Sequence, residues 1–189
     1  MDDERALRLG VVLAGHLIFL SAGALRIVRG ERAHWIEAPG VWVVRWYTPL
    51  VWLPLLVAVF LEPWHVPLAA PAPAAGLALA TASALFAAWA MWSLGRSYGI
   101  GMDLFEGHHL RTGGAYGLVR HPMYLGILGY HVGASLALES LFLLAATLLL
   151  IVPFTAIRIV AEERVLAVGF GGAYERYRAR TPALLPRFR

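Results

Sequence analysis

The chain has 189 residues, a formal net charge of +4, no cysteine, and 59% apolar against 15% charged residues. That is too little polar material to cover a soluble core, since apolar residues ordinarily make up about 45–50% of a soluble domain, and the bilayer is the natural solvent. Disulfides, thiolate metal sites and a cysteine nucleophile are excluded, and a charge this small and dispersed gives no reason to expect nucleic-acid binding.

A helix needs roughly 20 apolar residues to cross the hydrocarbon core. Leu9 to Val28 is the first candidate, interrupted by His16, Ser21 and Arg26, and it has no small-residue cleavage pattern behind it, so it reads as a retained span. Val41 to Leu61 is the second, with Pro49 and Pro54 predicting kinks that neighbouring helices tolerate in a membrane. A proline-rich turn follows over Glu62 to Pro73, and Ala74 to Leu94 is the third span. Gly95 to His121 is rich in glycine, histidine and charge, so it lies outside the hydrocarbon or lines a cavity. Met123 to Leu138 and Leu141 to Ile159 read as a helical hairpin turning at Glu139 and Ser140. The tail from Ala161 to Arg189 is charged and aromatic. The expectation is an all-α, polytopic integral membrane bundle of about five spans, with four as the alternative. It is a single domain over 1–189, with three spans in 1–94 and a functional core in 95–189.

Arginine, the only strongly basic residue type in the chain, sets the orientation. Arg26, Arg29, Arg32 and Arg45 flank the first connection, Arg96, Arg111 and Arg120 lie in the third, and the tail is arginine-rich. The second and fourth connections contain none. The positive-inside rule then places the amino terminus outside, the carboxyl terminus inside, and both polar segments on the cytoplasmic side.

Those two polar segments are where chemistry is expected. Arg158 and Glu162 stand i, i+4 on one helical face, either facing a ligand cavity or forming a snorkelling helix-end pair. Pro122 suits the first position of a helix, leaving the following N–H groups to meet a polar ligand. His121 is a ligand contact or an interfacial histidine, and Tyr116 and Tyr124 are site residues or interface aromatics. His108 and His109 lack further ligands at convincing spacing, so no metal site is expected.

The order of these residues resembles the isoprenylcysteine carboxyl methyltransferase family, including its bacterial members. The pattern is carried by His108-x-Leu110, Gly114-x-Tyr116 and Arg120-His121-Pro122-x-Tyr124-x-Gly126. After the hairpin come Glu162-Glu163, Leu166, Phe170-Gly171, Tyr174 and Tyr177, and the match runs over roughly 95 to 187. Two departures stand out: Arg111 replaces the family's usual valine, and Ala115 its frequent proline.

The resemblance implies a membrane methyltransferase using S-adenosylmethionine, with His108, His109, Leu110, Arg111, Tyr116, His121, Pro122, Met123, Tyr124 and Glu162 touching the cofactor. It implies that Arg158 holds the substrate, with Arg158 and Glu162 as the catalytic pair. The acceptor it implies is a prenyl-cysteine-like carboxylate or another lipophilic small molecule, met among membrane lipids. No nucleic acid and no obligate protein partner are expected, and the location implied is a bacterial inner membrane. Two other readings are a sterol-reductase-like enzyme using NADPH and a non-catalytic membrane protein with a degenerate cofactor pocket.

Overall fold

The computed structural model describes residues 3–28, 41–61, 64–94 and 109–185, all helix and connection with no strand among them. Helix α1 (Asp3–Val28) starts ahead of its apolar tract, with Asp3 and Glu4 in the first turn, where carboxylates meet unpaired N–H groups and the positive end of the helix dipole. Helix α2 (Val41–Leu61) has the bounds expected and carries both prolines inside. Pro54 offers no N–H to the preceding turn. Beside this break, the His131 ring places Nε2 2.9 Å from the Val51 carbonyl and Nδ1 2.8 Å from that of Ile127. Both partners are acceptors, so a neutral ring donates to one of them at a time.

Helix α3 (Ala72–Leu94) begins slightly earlier than its apolar run suggests and packs along α5 (Pro122–Ala137). Small residues set this packing. A Cβ on Gly133 would stand 2.4 Å from the Ala80 nitrogen, and one on Gly126 2.7 Å from the Ala87 Cβ. The two backbones therefore touch, which is how apolar helices gain van der Waals attraction without a hydrophobic drive between them.

The short helix α4 (Ala115–Leu118) punctuates the polar segment. Helix α6 (Leu141–Ala146), a π turn over Thr147–Ile151 and α7 (Val152–Phe170) run on as one 30-residue helix. The wide turn lies just before Pro153, whose missing N–H a π register accommodates. The helix continues past the expected end at Ile159, because Ala161, Glu162, Glu163 and Arg164 are strong helix formers and several of these charges find partners. It stops at Gly171, which takes a left-handed φ of 49°, and α8 (Gly172–Arg180) follows.

The polar connections gather at opposite ends of the bundle. At one end, the Val66 N–H donates to Glu139 O (2.9 Å) and the Leu141 N–H to Trp64 O (3.1 Å). The Glu139 carboxylate there accepts from the Leu68 N–H (2.7 Å) and from Arg8 (3.1 Å), and the Ser140 hydroxyl caps α6 by accepting from Leu143 N–H (3.2 Å). The start of α5, the end of α7 and α8 lie at the other end, held together as described below.

Among the described residues, α3 and the Leu141–Phe170 helix are long and apolar enough to cross a membrane, with 39% and 33% of their most apolar windows buried inside the protein. Most of that apolar surface therefore faces outward, Leu148, Leu149, Leu85 and Trp92 among it. An exterior of this kind suits lipid rather than water, and the all-helical architecture is consistent with a helical membrane protein.

Candidate active site

The site grows from the junction of α4 and α5. Gly114 takes a φ of 61°, and a Cβ there would sit 2.8 Å from Ser93 Oγ on α3, so both conformation and space call for glycine. The turn it makes buries Ala115 and Tyr116 against Ala90. The Tyr177 hydroxyl on α8 donates to the Tyr116 carbonyl at 2.7 Å.

Past Val119 the backbone is extended, and its N–H groups are met by the carboxyl-terminal segment. Arg120 N–H donates to Pro182 O (2.8 Å) and His121 N–H to Ala183 O (3.0 Å). The Arg120 guanidinium then fastens three elements at once. Its Nε and Nη2 donate to Glu163 Oε1 on α7 at 3.0 and 2.5 Å. Its Nη1 donates to the carbonyls of Arg178 and Thr181. The fork geometry of arginine suits this use, because several fixed donors can serve separate acceptors. His121 is buried, with Nε2 3.1 Å from the same Glu163 oxygen and its ring stacked at 5.8 Å on that of Tyr124. Tyr174 on α8 is fully buried, and burial with the nearby Glu163 charge pushes its hydroxyl pKa up to about 12, so it stays protonated at neutral pH.

One helical turn into α5, Tyr124 joins the two residues that spacing had paired. Its hydroxyl donates to Glu162 Oε2 (2.6 Å) and accepts from Arg158 Nε (2.7 Å). The i, i+4 pair of α7 is thus linked through a phenol from α5. Arg158 is only 5% exposed. Its guanidinium lies over the Tyr47 ring of α2, 4.6 Å from the centroid, a cation–π contact. The Tyr47 hydroxyl lies 2.9 Å from Thr155 Oγ1.

The structure brings Tyr124, Arg158 and Glu162 together, with His121 stacked beside them. Pro122 and Met123 share the first turn of α5, and Tyr116 sits one element earlier. His109 and Arg111 are exposed and Leu110 half-buried on the segment ahead of α4; His108 lies outside the described residues. Sequence reasoning gave no role to Tyr47, Thr155 or the multiple contacts of Arg120. Arg120 stood in a recognisable motif, whereas Tyr47 carries no local signal, lying in a tract that reads as an ordinary span.

A family model for phospholipid methyltransferases matches residues 72–173. The chain is 35% identical over 79 residues to protein-S-isoprenylcysteine O-methyltransferase of Schizosaccharomyces pombe, covering 42% of this chain and 34% of that protein. It is 37% identical over 81 residues to protein-S-isoprenylcysteine O-methyltransferase B of Arabidopsis thaliana, 43% of this chain and 41% of the relative. Over 84 residues it is 40% identical to methanethiol S-methyltransferase 2 of Bradyrhizobium diazoefficiens, 43% of this chain and 30% of the relative. The chain thus aligns with about a third of the length of these curated relatives. The family match takes in more than half of the chain, including Tyr124, Arg158 and Glu162, and this chain belongs to the phospholipid methyltransferase family.

Proposed function

We propose that this protein is an S-adenosylmethionine-dependent methyltransferase of the membrane, acting on a lipophilic acceptor with a carboxylate of the prenyl-cysteine kind. The observation that carries this reading is the Arg158–Tyr124–Glu162 relay inside the family-matched segment. A second support is the names of the relatives, which methylate isoprenylcysteine or methanethiol. Membership of a methyltransferase family favours this reading over an NADPH-dependent reductase and over a non-catalytic protein.

The residues fit the cofactor. S-adenosylmethionine presents an ammonium, ribose hydroxyls and a carboxylate. Glu162 offers acceptor oxygens to the first two, and the first turn of α5 offers unpaired backbone N–H groups to the third. The segment His109–Leu110–Arg111, exposed at His109 and Arg111, gives further surface, and we assign His108, Tyr116, His121, Pro122, Met123 and Tyr124 to the same pocket. When bound, S-adenosylmethionine supplies an electrophilic methyl group on a sulfonium, a good leaving group.

Arg158 orients the acceptor carboxylate through its planar fork. A carboxylate is already ionised at neutral pH, since its reference pKa is near 4, so no general base is needed and positioning supplies the rate. Glu163 agrees with this: Arg120 and His121 both engage its Oε1, which suits an anchor better than a base. Tyr47, Tyr124 and Arg158 are themselves buried, which limits water at the relay.

In the membrane we place five spans, with the amino terminus outside, the carboxyl terminus inside and the site at the cytoplasmic face of a bacterial inner membrane. The gathering of the α2–α3 connection and the α5–α6 turn at one end, and of α8 and the end of α7 at the other, supports that alternation. The chain acts as one domain over 1–189, with the methyltransferase core in 95–189 and membrane lipids around it. Calorimetry on the detergent-solubilised protein tests the reading. S-adenosylhomocysteine is expected to bind and NADPH is not, and no binding of S-adenosylhomocysteine overturns the proposal. Isotope-labelled methyl donor offered with carboxylate and thiol acceptors then identifies the product as an ester or a thioether.

A further inference from the structure

Tyr47 stands outside the family-matched residues 72–173, on a helix the motifs do not reach, yet it is buried at the site with 5% of its surface exposed. It grips α7 at two points about one turn apart. Its hydroxyl lies 2.9 Å from Thr155 Oγ1, and its ring face lies under the Arg158 guanidinium at 4.6 Å. Thr155 and Arg158 are i, i+3 on one helical face, so a single side chain fixes both. The Tyr47 ring also meets the Tyr124 ring edge-to-face, 5.8 Å between centroids and 79° between planes. Arg158 is thereby placed on three sides: by its own helix, by the Tyr124 hydroxyl on Nε, and by the Tyr47 face.

We infer that Tyr47 is a positioning residue that holds the Arg158 guanidinium in the orientation presented to the acceptor carboxylate, which makes α2 part of the acceptor site. The inference rests on Arg158 being the acceptor's anchor, as proposed above. An arginine carries several rotatable bonds, and ordering it beforehand removes an entropic cost from the moment of acceptor binding. The Thr155 contact keeps the tyrosine from turning away.

The test uses the full chain in lipid nanodiscs, S-adenosylhomocysteine for affinity, and an S-prenylated N-acetylcysteine as acceptor probe. Tyr47→Leu is expected to lower kcat/KM for the acceptor about fivefold to thirtyfold, the size of a desolvated cation–π contact. The affinity for S-adenosylhomocysteine is expected to change less than about twofold. Tyr47→Phe, which keeps the ring, is expected to restore most of the loss. Unchanged turnover in Tyr47→Leu, or a fall in both quantities together, overturns the inference. A second measurement is independent of activity: the 15Nε signal of Arg158 in arginine-labelled wild-type protein, assigned by its absence in Arg158→Lys. A ring-shifted signal is expected, and a position among the other arginines overturns the inference even if Tyr47→Leu fails to fold. If the wild type binds no S-adenosylhomocysteine, the proposed function falls, while an unshifted Arg158 signal separately overturns the hold of Tyr47 on Arg158.

Discussion

Replacing Arg120 with alanine removes four donated hydrogen bonds at once: two to Glu163 Oε1 and one each to the Arg178 and Thr181 carbonyls. The Glu163 side chain is only 14% exposed, so water cannot fully replace its partner. It would keep His121 Nε2 at 3.1 Å and Arg178 Nε at 3.9 Å. Breaking a buried ion pair from one side costs about 3–5 kcal/mol, and the remaining partners put this case near the lower end, at about 3 kcal/mol. For a chain of this size each kcal/mol moves the melting temperature about 2–4 °C, so the shift should be about 6–12 °C downward. Thermal unfolding in detergent, followed by intrinsic tryptophan fluorescence, measures it. A double-mutant cycle with Glu163→Gln isolates the pair, and a coupling energy above about 1 kcal/mol is expected. A melting shift below about 2 °C for Arg120→Ala, or a coupling near zero, would refute the claim that this guanidinium fastens α5 to α7 and to the carboxyl-terminal segment.

Further outcomes follow from the same geometry. Glu162→Ala is expected to weaken binding of S-adenosylhomocysteine, and Arg158→Ala mainly to impair turnover. Tyr124→Phe removes the hydroxyl they share and should affect both measurements, the pattern that separates a shared linker from two independent residues. Gly133→Leu forces side-chain atoms into backbone already within 2.4 Å of its ideal Cβ position; the expected result is loss of folded protein on gel filtration, whereas Gly10→Leu, with open space around it, should behave as wild type. The Leu68 N–H first, and then Arg8, hold the Glu139 pKa below its ordinary value. Its stabilising contribution is therefore fully present above the ordinary carboxylate pKa and is lost as pH falls through the lowered one. Melting curves should show Glu139→Gln to be less stable than wild type at neutral pH, with the difference closing in acid. A difference that does not change with pH would count against that assignment.

Much of this arrangement is legible in the residues themselves. Apolar runs located α2, α3 and the α5–α6 hairpin because the cost of unsatisfied backbone in lipid leaves few alternatives to helix. The π turn before Pro153 was not visible, since the sequence marks the proline but not how the helix absorbs it. At the site, spacing paired Arg158 with Glu162 on one face, and the motif supplied Tyr124, but only packing puts the phenol between them. The Tyr47 contribution could not be read at all. Its partners on α7 lie more than a hundred residues away in the chain, and a tyrosine among Trp46, Pro49 and Val51 reads as an ordinary membrane aromatic. Arg120 was legible as part of a motif and illegible as a clamp, because two of its acceptors are backbone carbonyls, which every residue type carries.

The close seam between α3 and α5 bears on how the proposed acceptor would arrive. Where a single methyl group on Gly133 or Gly126 finds no room, an alkyl chain has no passage. A molecule dissolved in the lipid cannot slip between these two helices to reach Arg158, and the pair acts as a shut wall. On the function proposed above, the acceptor would reach Arg158 by another face of the bundle. The glycines that bring two helices into contact thus also close that side of the protein to any molecule dissolved in the lipid.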